Sequence, residues 1–354
     1  MSSEKNYVCS PEKDGESIRK ILLSIEQLDG EYKIISEDMM LYFPIKSRLT
    51  QGQLSILGAS SISIDTGIRE FDKISLVPRT LSDALQEKLS PEDLTLLPRA
   101  YDLIGDIAVL EIPDELSQYS KLIGETFHKI HSNFKTILAK SGAVSGTTRV
   151  REYTLLAGED KTKTIHTEYG CKLVVDVAKA YFSPRLLEEH NRIAQLVQPG
   201  ESILDMFCGV GPFAIHIARQ KEVKVVAIDI NPSAIELLAE SIQLNKLVGH
   251  IDPIVIDAHE YARTREDAFD RVIMNHPSGA SDFIVDACRI LKSGGTMHYY
   301  DFMGGEFPEN TMKDKVTKLV GQAGRKIGDF GLVRRVRDSA PYEYQMVADV
   351  TILE

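Results

Sequence analysis

Ser202-Ile-Leu-Asp-Met-Phe-Cys-Gly-Val-Gly-Pro-Phe213 is followed closely by Val225-Val-Ala-Ile-Asp-Ile-Asn-Pro232. In the first stretch an apolar run ends in Asp205, and a Gly-x-Gly turn, Gly209 and Gly211, opens a helix. About twenty residues further on, a second apolar run ends in Asp229. Strand, glycine turn, helix and acid-ended strand are the layout of a nucleoside site at the carboxyl edge of a parallel sheet. The glycines let backbone approach a ligand, and the second acid accepts hydrogen bonds from ribose hydroxyls.

The turn itself, Gly209-Val-Gly-Pro-Phe-Ala214, also satisfies a dinucleotide fingerprint, which allows Ala at the third position. Two details point elsewhere. Asp205 stands in the approach to the turn, where a pyrophosphate would meet negative charge. No G-x-x-x-x-G-K-[ST] phosphate loop is present. A ligand carrying an amino group and a sulfonium suits Asp205 better, so S-adenosylmethionine (AdoMet) is the expected cofactor. Asp205 and the backbone at Gly209 and Gly211, with Phe207 between them, should hold its methionine part. Asp229 should hold the ribose, with Asn231 near it, and Asp257 the adenine amine.

The pattern continues downstream. Asp252–Asp257 reads as a third strand ending in an acid, and Asp270–Asn275 as a fourth that runs into Asn275-His276-Pro277. Ser281–Leu291 reads as a helix stopped by Ser293-Gly-Gly295, and Thr296–Tyr300 as a fifth strand. Two late strands, near Lys326–Arg337 and Tyr344–Leu353, close the sheet. The β-α-β-α alternation predicts an α/β, Rossmann-like, mostly parallel sheet covered by helices.

The chain has 354 residues, enough for two or three domains with ample core. We expect a small α/β domain over 1–57, a companion α+β domain over 73–198, and the catalytic sheet over 199–354. The Gly/Ser-rich stretch around Gly58–Gly67 reads as a linker. Lys121–Leu138 reads as one long helix. Thr147–Tyr153, Thr164–Gly170 and Lys172–Val177 read as strands. Ser183 and Pro184 read as N-cap and first residue of a helix. No apolar run approaches a membrane span, and no signal peptide is expected at the start. The four cysteines are far apart and form no metal or disulfide spacing, which suits a reducing cytoplasm. A net charge of −11 argues mildly against nucleic acid as partner. The basic tail of Arg325, Lys326, Arg334, Arg335 and Arg337 offers a local exception.

Thr147–Glu152, Val175-Asp-Val-Ala-Lys-Ala-Tyr-Phe-Ser-Pro-Arg185, Asp205–Phe213, Asp229–Pro232 and Asn275–Pro277 occur in that order. Together they resemble the archaeal and eukaryotic tRNA (guanine-N1)-methyltransferase family, which modifies the purine at tRNA position 37. The resemblance covers nearly the whole chain. It implies a class I methyltransferase sheet, a companion domain, an N-terminal domain that contacts tRNA, a monomer, and no metal. It implies Glu189 as the base that takes the guanine N1 proton, with its pKa raised by burial. It implies Arg149 as the cation facing O6, and Tyr181 and Arg185 as further contacts near the cofactor. Asn275 should read the guanine edge, since its amide both donates and accepts, and Pro277 should rigidify that loop. The chain departs from the family at His276, where Leu or Pro is usual, and this bears on substrate choice.

Other readings remain open at this level. They are a bifunctional enzyme that also methylates a wyosine intermediate and an aminocarboxypropyl transferase of the wyosine pathway. A non-catalytic RNA-binding protein on the same scaffold and a small-molecule methyltransferase complete the set.

Overall fold

A computed structural model describes residues 2–58, 62–74, 78–145 and 150–354. The chain divides into two units, Met1–Pro78 and Arg79–Glu354.

The first unit holds strands β1 (Ser2–Pro11), β2 (Ile35–Glu37), β3 (Met40–Ile45) and β4 (Asp65–Asp72) with helices α1 (Gly15–Ser24) and α2 (Gln51–Gly58). The strands form one antiparallel sheet in the order β2-β3-β1-β4. Val8, Ile18, Leu22, Phe43, Ile45 and Leu57 make its core. The expected linker is therefore partly wrong, because β4 pairs with β1 from Ser2↔Asp72 to Cys9↔Asp65. This strand hides among Gly, Ser and Thr because its outer face is exposed; only Phe71 on it is buried. The unit thus runs past residue 57.

The second unit begins with α3 (Leu81–Leu85), α4 (Pro91–Thr95), β5 (Tyr101–Ile104), β6 (Ile107–Leu110), α5 (Ser120–Ile130), β7 (Thr136–Ser145) and β8 (Val150–Gly158). The four strands pair in the order β5-β6-β7-β8. The expected long helix over 121–138 is corrected: it stops at Ile130, and Thr136 onward is strand. His131-Ser-Asn breaks the helical face, and β7 is drawn into the sheet beside β6. A hairpin of β9 (Lys163–Glu168) and β10 (Cys171–Asp176) leads to a short 3-10 turn, Pro184–Leu186, and α6 (Leu187–Leu196). Ser183 precedes that turn but makes no side-chain cap; its hydroxyl is engaged elsewhere.

The catalytic sheet contains β11 (Ser202–Asp205), α7 (Pro212–Gln220), β12 (Lys224–Asp229), α8 (Pro232–Leu244), β13 (His250–Val255), α9 (Ala258–Ala262), β14 (Phe269–Met274), α10 (Ile284–Ile290), β15 (Leu291–Gly304), α11 (Pro308–Gln322), β16 (Lys326–Ala340) and β17 (Glu343–Leu353). The strand order is β13-β12-β11-β14-β15-β17-β16. The first five strands pair in parallel, and β17 is antiparallel to both neighbours. The order reverses between β11 and β14, so the crevice at their carboxyl ends is the expected ligand position. Gly294 and Gly295 do not end the preceding helix in a loop; they lie inside β15. Central strands bury both faces, as Ile203, Leu204, Val225 and Ile273 show, each burial contributing about 1.5–3 kcal/mol.

Candidate active site

A cavity of about 280 Å³ opens at the carboxyl ends of β11, β12 and β14. Of the expected site residues, Phe207, Gly209, Asp229, Asn231, Asp257, Tyr181 and Asn275 line it. Ile230, Ile256, Ala258 and Phe283 give it an apolar side next to the acids, which suits a flat base joined to a ribose. Asp205, Gly211, Arg185, Glu189 and Pro277 are outside its lining. Arg149 lies outside the described residues.

Asp229 is positioned by backbone. Its carboxylate accepts the Gly209 N–H at 2.8 Å and the Asn231 N–H at 2.9 Å, which aims the acid at the glycine turn. Burial raises its pKa against those donors. Asp205 is fully buried, and neither carboxylate oxygen has a hydrogen-bond partner among the described residues. Its carboxyl is pushed up to about 8, first by burial and then by the charge of Asp229, with the Phe207 backbone opposing. An unpaired buried acid behind the turn would favour a ligand that carries a cation, and the apolar side of the cavity suits adenine, so the residues present fit AdoMet.

The two glycines differ in their reasons. Gly209 has φ of +53°, and its N–H holds Asp229. Gly211 has φ of +77° and caps α7, and a Cβ there would come within 2.2 Å of Leu238 on α8. Its missing side chain serves helix packing, and it stands outside the cavity lining. Asn231 is similarly engaged by the fold. Its amide caps α8 through Ser233 N–H at 3.0 Å and donates to the Lys179 carbonyl at 2.8 Å. Asp257 caps α9 through one oxygen, Oδ1. Arg185 pairs with Asp102 at 2.8 Å and faces a second, polar cavity lined also by Lys140, Arg151 and Arg337.

Glu189 is 1% exposed and saturated with donors. Oε1 accepts from Tyr300 Oη at 2.6 Å and Arg192 Nη2 at 2.7 Å; Oε2 accepts from Arg192 Nε at 2.9 Å and Arg334 Nη2 at 2.6 Å. The expectation of a raised pKa is overturned. Burial does push it up, but Arg192, Tyr300 and Arg334 together hold it below the usual glutamate value. Arg192 also grips Asp349, which pairs with buried His298 at 2.6 Å. This network joins α6 to the last two strands of the sheet.

Sequence reading gave Arg337 only as part of the basic tail and missed Gln345 and His190 as site residues. Arg337 and Gln345, cross-strand partners on β16 and β17, reach the cavity wall: Arg337 contacts Ser183 and Tyr181, and Gln345 contacts Asn275. They lie some sixty or more residues after Asn275 in no motif, so only long-range pairing brings them there. His190 lines the cavity and packs edge-on against Phe213 at 4.7 Å. Behind it, Glu168 accepts from His190 at 2.8 Å and His216 at 3.1 Å. Both bonds fall on Oε2 and tie α6 to α7, while Glu168 Oε1 and His216 Nδ1 are buried without a hydrogen-bond partner among the described residues.

A seven-stranded sheet of this order, with an acid-ended second strand and a glycine turn facing one nucleoside-sized cavity, defines a class I AdoMet-dependent methyltransferase. Residues 164–330 match the TRM5/TYW2 methyltransferase domain, residues 81–162 the TYW2 N-terminal domain, and residues 11–51 the tRNA methyltransferase 5 N-terminal domain. A Pyrococcus abyssi protein named tRNA (guanine(37)-N(1))-methyltransferase Trm5b is 37% identical over 343 residues, 97% of each chain. One of the same name from Methanocaldococcus jannaschii is 40% identical over 343 residues, 96% of each. A solved structure described as the complex of aTrm5 and tRNALeu superposes with a TM-score of 0.82 at 38% identity, covering 98% of this chain and 99% of that one. The chain belongs to the TRM5/TYW2 methyltransferase family.

Proposed function

We propose that this protein is a tRNA (guanine(37)-N1)-methyltransferase. The observation that carries the reading is the convergence of Asp229, Asp257 and Asn275 on one cavity in a chain whose near-full-length relatives bear that name. AdoMet supplies an electrophilic methyl group on a sulfonium, so no metal is needed. The protein's task is on the other reactant. Guanine N1 carries a proton at neutral pH, and as it leaves, charge builds on O6. Glu189 is the base in this reading: it is held ionised by Arg192 and Tyr300, and it becomes free to accept when Arg334, its half-exposed partner, withdraws. Arg149 would meet O6; Arg149→Ala is expected to lower single-turnover rates about 10²–10³-fold. Asn275 holds the base edge, and Pro277 fixes its loop. The base must leave its stack to enter.

The protein acts as a monomer in the cytoplasm in this reading; among the described residues no helix is long and apolar enough to cross a membrane. A second reading, aminocarboxypropyl transfer, is favoured by the match of residues 81–162 to a TYW2 N-terminal domain. The match of residues 11–51 to the methyltransferase 5 N-terminal domain favours methyl transfer. Labelled AdoMet with tRNA transcripts bearing guanosine or adenosine at position 37, read by nucleoside mass, decides. N1-methylguanosine on the first alone supports the proposal. No methyl on either, despite AdoMet binding, sinks it in favour of the second reading.

A further inference from the structure

Arg337, Gln345 and Asn275 form a chain of hydrogen bonds with a fixed direction. Arg337 Nε donates to Gln345 Oε1 at 2.7 Å, and Gln345 Nε2 donates to Asn275 Oδ1 at 3.2 Å. The two other Arg337 nitrogens donate to Ser183 Oγ and Tyr181 Oη, each at 3.3 Å. Side-chain amides can usually be turned end for end, because oxygen and nitrogen are alike in shape. Here they cannot. A guanidinium has only donors, so Gln345 must offer it the oxygen. Gln345 is 1% exposed, so its amino end has no water to turn to and must find an acceptor, which is the Asn275 oxygen. Asn275 is left with its amino group for the cavity it lines, and among the described residues that group has no partner.

We infer that Arg337 and Gln345 are positioning residues that lock Asn275 with its amino group toward the target base, so that this position selects a base edge offering an acceptor, such as a purine carbonyl, over one offering an amine. The inference rests on Asn275 being a substrate residue. It assigns a function to two strands of the sheet that carry no motif. It also assigns part of the preference for guanine over adenine to a residue that need not touch the base.

Gln345→Glu is the decisive variant. It keeps the shape of the side chain and still pairs with Arg337, but a carboxylate only accepts. Asn275 must then turn its amino group to Glu and its oxygen to the cavity. Gln345→Met removes both polar ends and leaves Asn275 free to take either orientation. Single-turnover methyl transfer to a guanosine-37 transcript is measured for each, with AdoMet affinity and melting temperature as controls. We expect the Glu variant to lose about 30-fold or more and the Met variant about three- to tenfold, with AdoMet affinity within about threefold of the parent. A role in packing alone would reverse that order, since Glu is the closer mimic. Met slower than Glu, or Glu within threefold of the parent, overturns the inference.

A second measurement holds if the Glu variant does not fold. In the parent protein labelled with ¹⁵N at Asn and Gln side chains, the Gln345 amide protons should exchange slowly. Those of Asn275 should exchange fast and move when tRNA binds. The reverse protection pattern overturns the inference whatever the reaction proves to be. If the parent transfers no methyl to guanosine, the functional reading fails while the exchange pattern still reports on the lock.

Discussion

Two buried carboxylates, Asp205 on what we propose is the cofactor side and Glu189 on the proposed substrate side, show how its neighbours decide the state of a buried acid. Both are almost inaccessible to water. Asp205 has no hydrogen-bond partner among the described residues and is pushed up to about 8. Glu189 has two arginines and a tyrosine and is held below its ordinary value. Burial acts the same way on both, and the partners decide the sign. In the proposed reading the cofactor side takes its cation from the ligand, whereas the substrate side already contains its cations and releases one to act.

The largest expected effect tests the substrate side. Glu189→Gln should cut single-turnover methyl transfer about 10²–10⁴-fold with AdoMet affinity nearly unchanged. A rate near the parent's would remove Glu189 from the chemistry. Next, Asp205→Asn should weaken AdoMet about 10–100-fold by calorimetry, the scale of one charge-assisted contact. The sign for stability is opposite. The folded Asp205 pKa lies above the unfolded value, so its contribution falls as pH rises from about 4 through about 8. The Asn variant should therefore melt higher than the parent at pH 8.5; a lower melting point would break the comparison.

Backbone geometry gives a third contrast within the cofactor side. Gly211→Ala should cost about 2–4 kcal/mol, from positive φ and the Leu238 clash together. Gly209→Ala, with only the Tyr181 carbonyl 3.5 Å away, should cost about 1 kcal/mol in a melt but weaken the ligand more. The smallest effects are in pH dependence. Below pH 8 the neutral Asp205 must lose a proton to meet the ligand's cation, so AdoMet affinity should rise with pH up to about 8, with proton release detectable in buffers of different ionisation enthalpy. Arg334→Ala removes a cation from Glu189 of the free enzyme, so the acid limb of the kcat/KM profile should move to higher pH, while that of kcat, measured once Arg334 has withdrawn, should stay. A kcat limb that moves as well would mean that Arg334 stays on Glu189 in the reactive complex.

What the sequence determined by itself is the half of the site made by neighbours in the chain. Asp205, the glycine turn and Asp229 are read from strand ends and turns, because parallel β-α-β units place consecutive carboxyl ends side by side. Asn275 follows the same rule at the end of β14. Residues whose work is local but structural were legible only as candidates: Gly211 packs against α8, and Asn231 caps it. The tertiary structure alone decided the rest. The exposed strand β4 was hidden because Phe71 is its only buried residue. The Glu189 shift starts from a local pair, Arg192 three residues along α6, but Tyr300 and Arg334, which complete it, and Arg337 and Gln345, which hold Asn275, are brought in by the pairing of the last three strands. No local pattern encodes them, since charge and hydrogen-bond direction at a site follow from what lies a few ångströms away, not a few residues away.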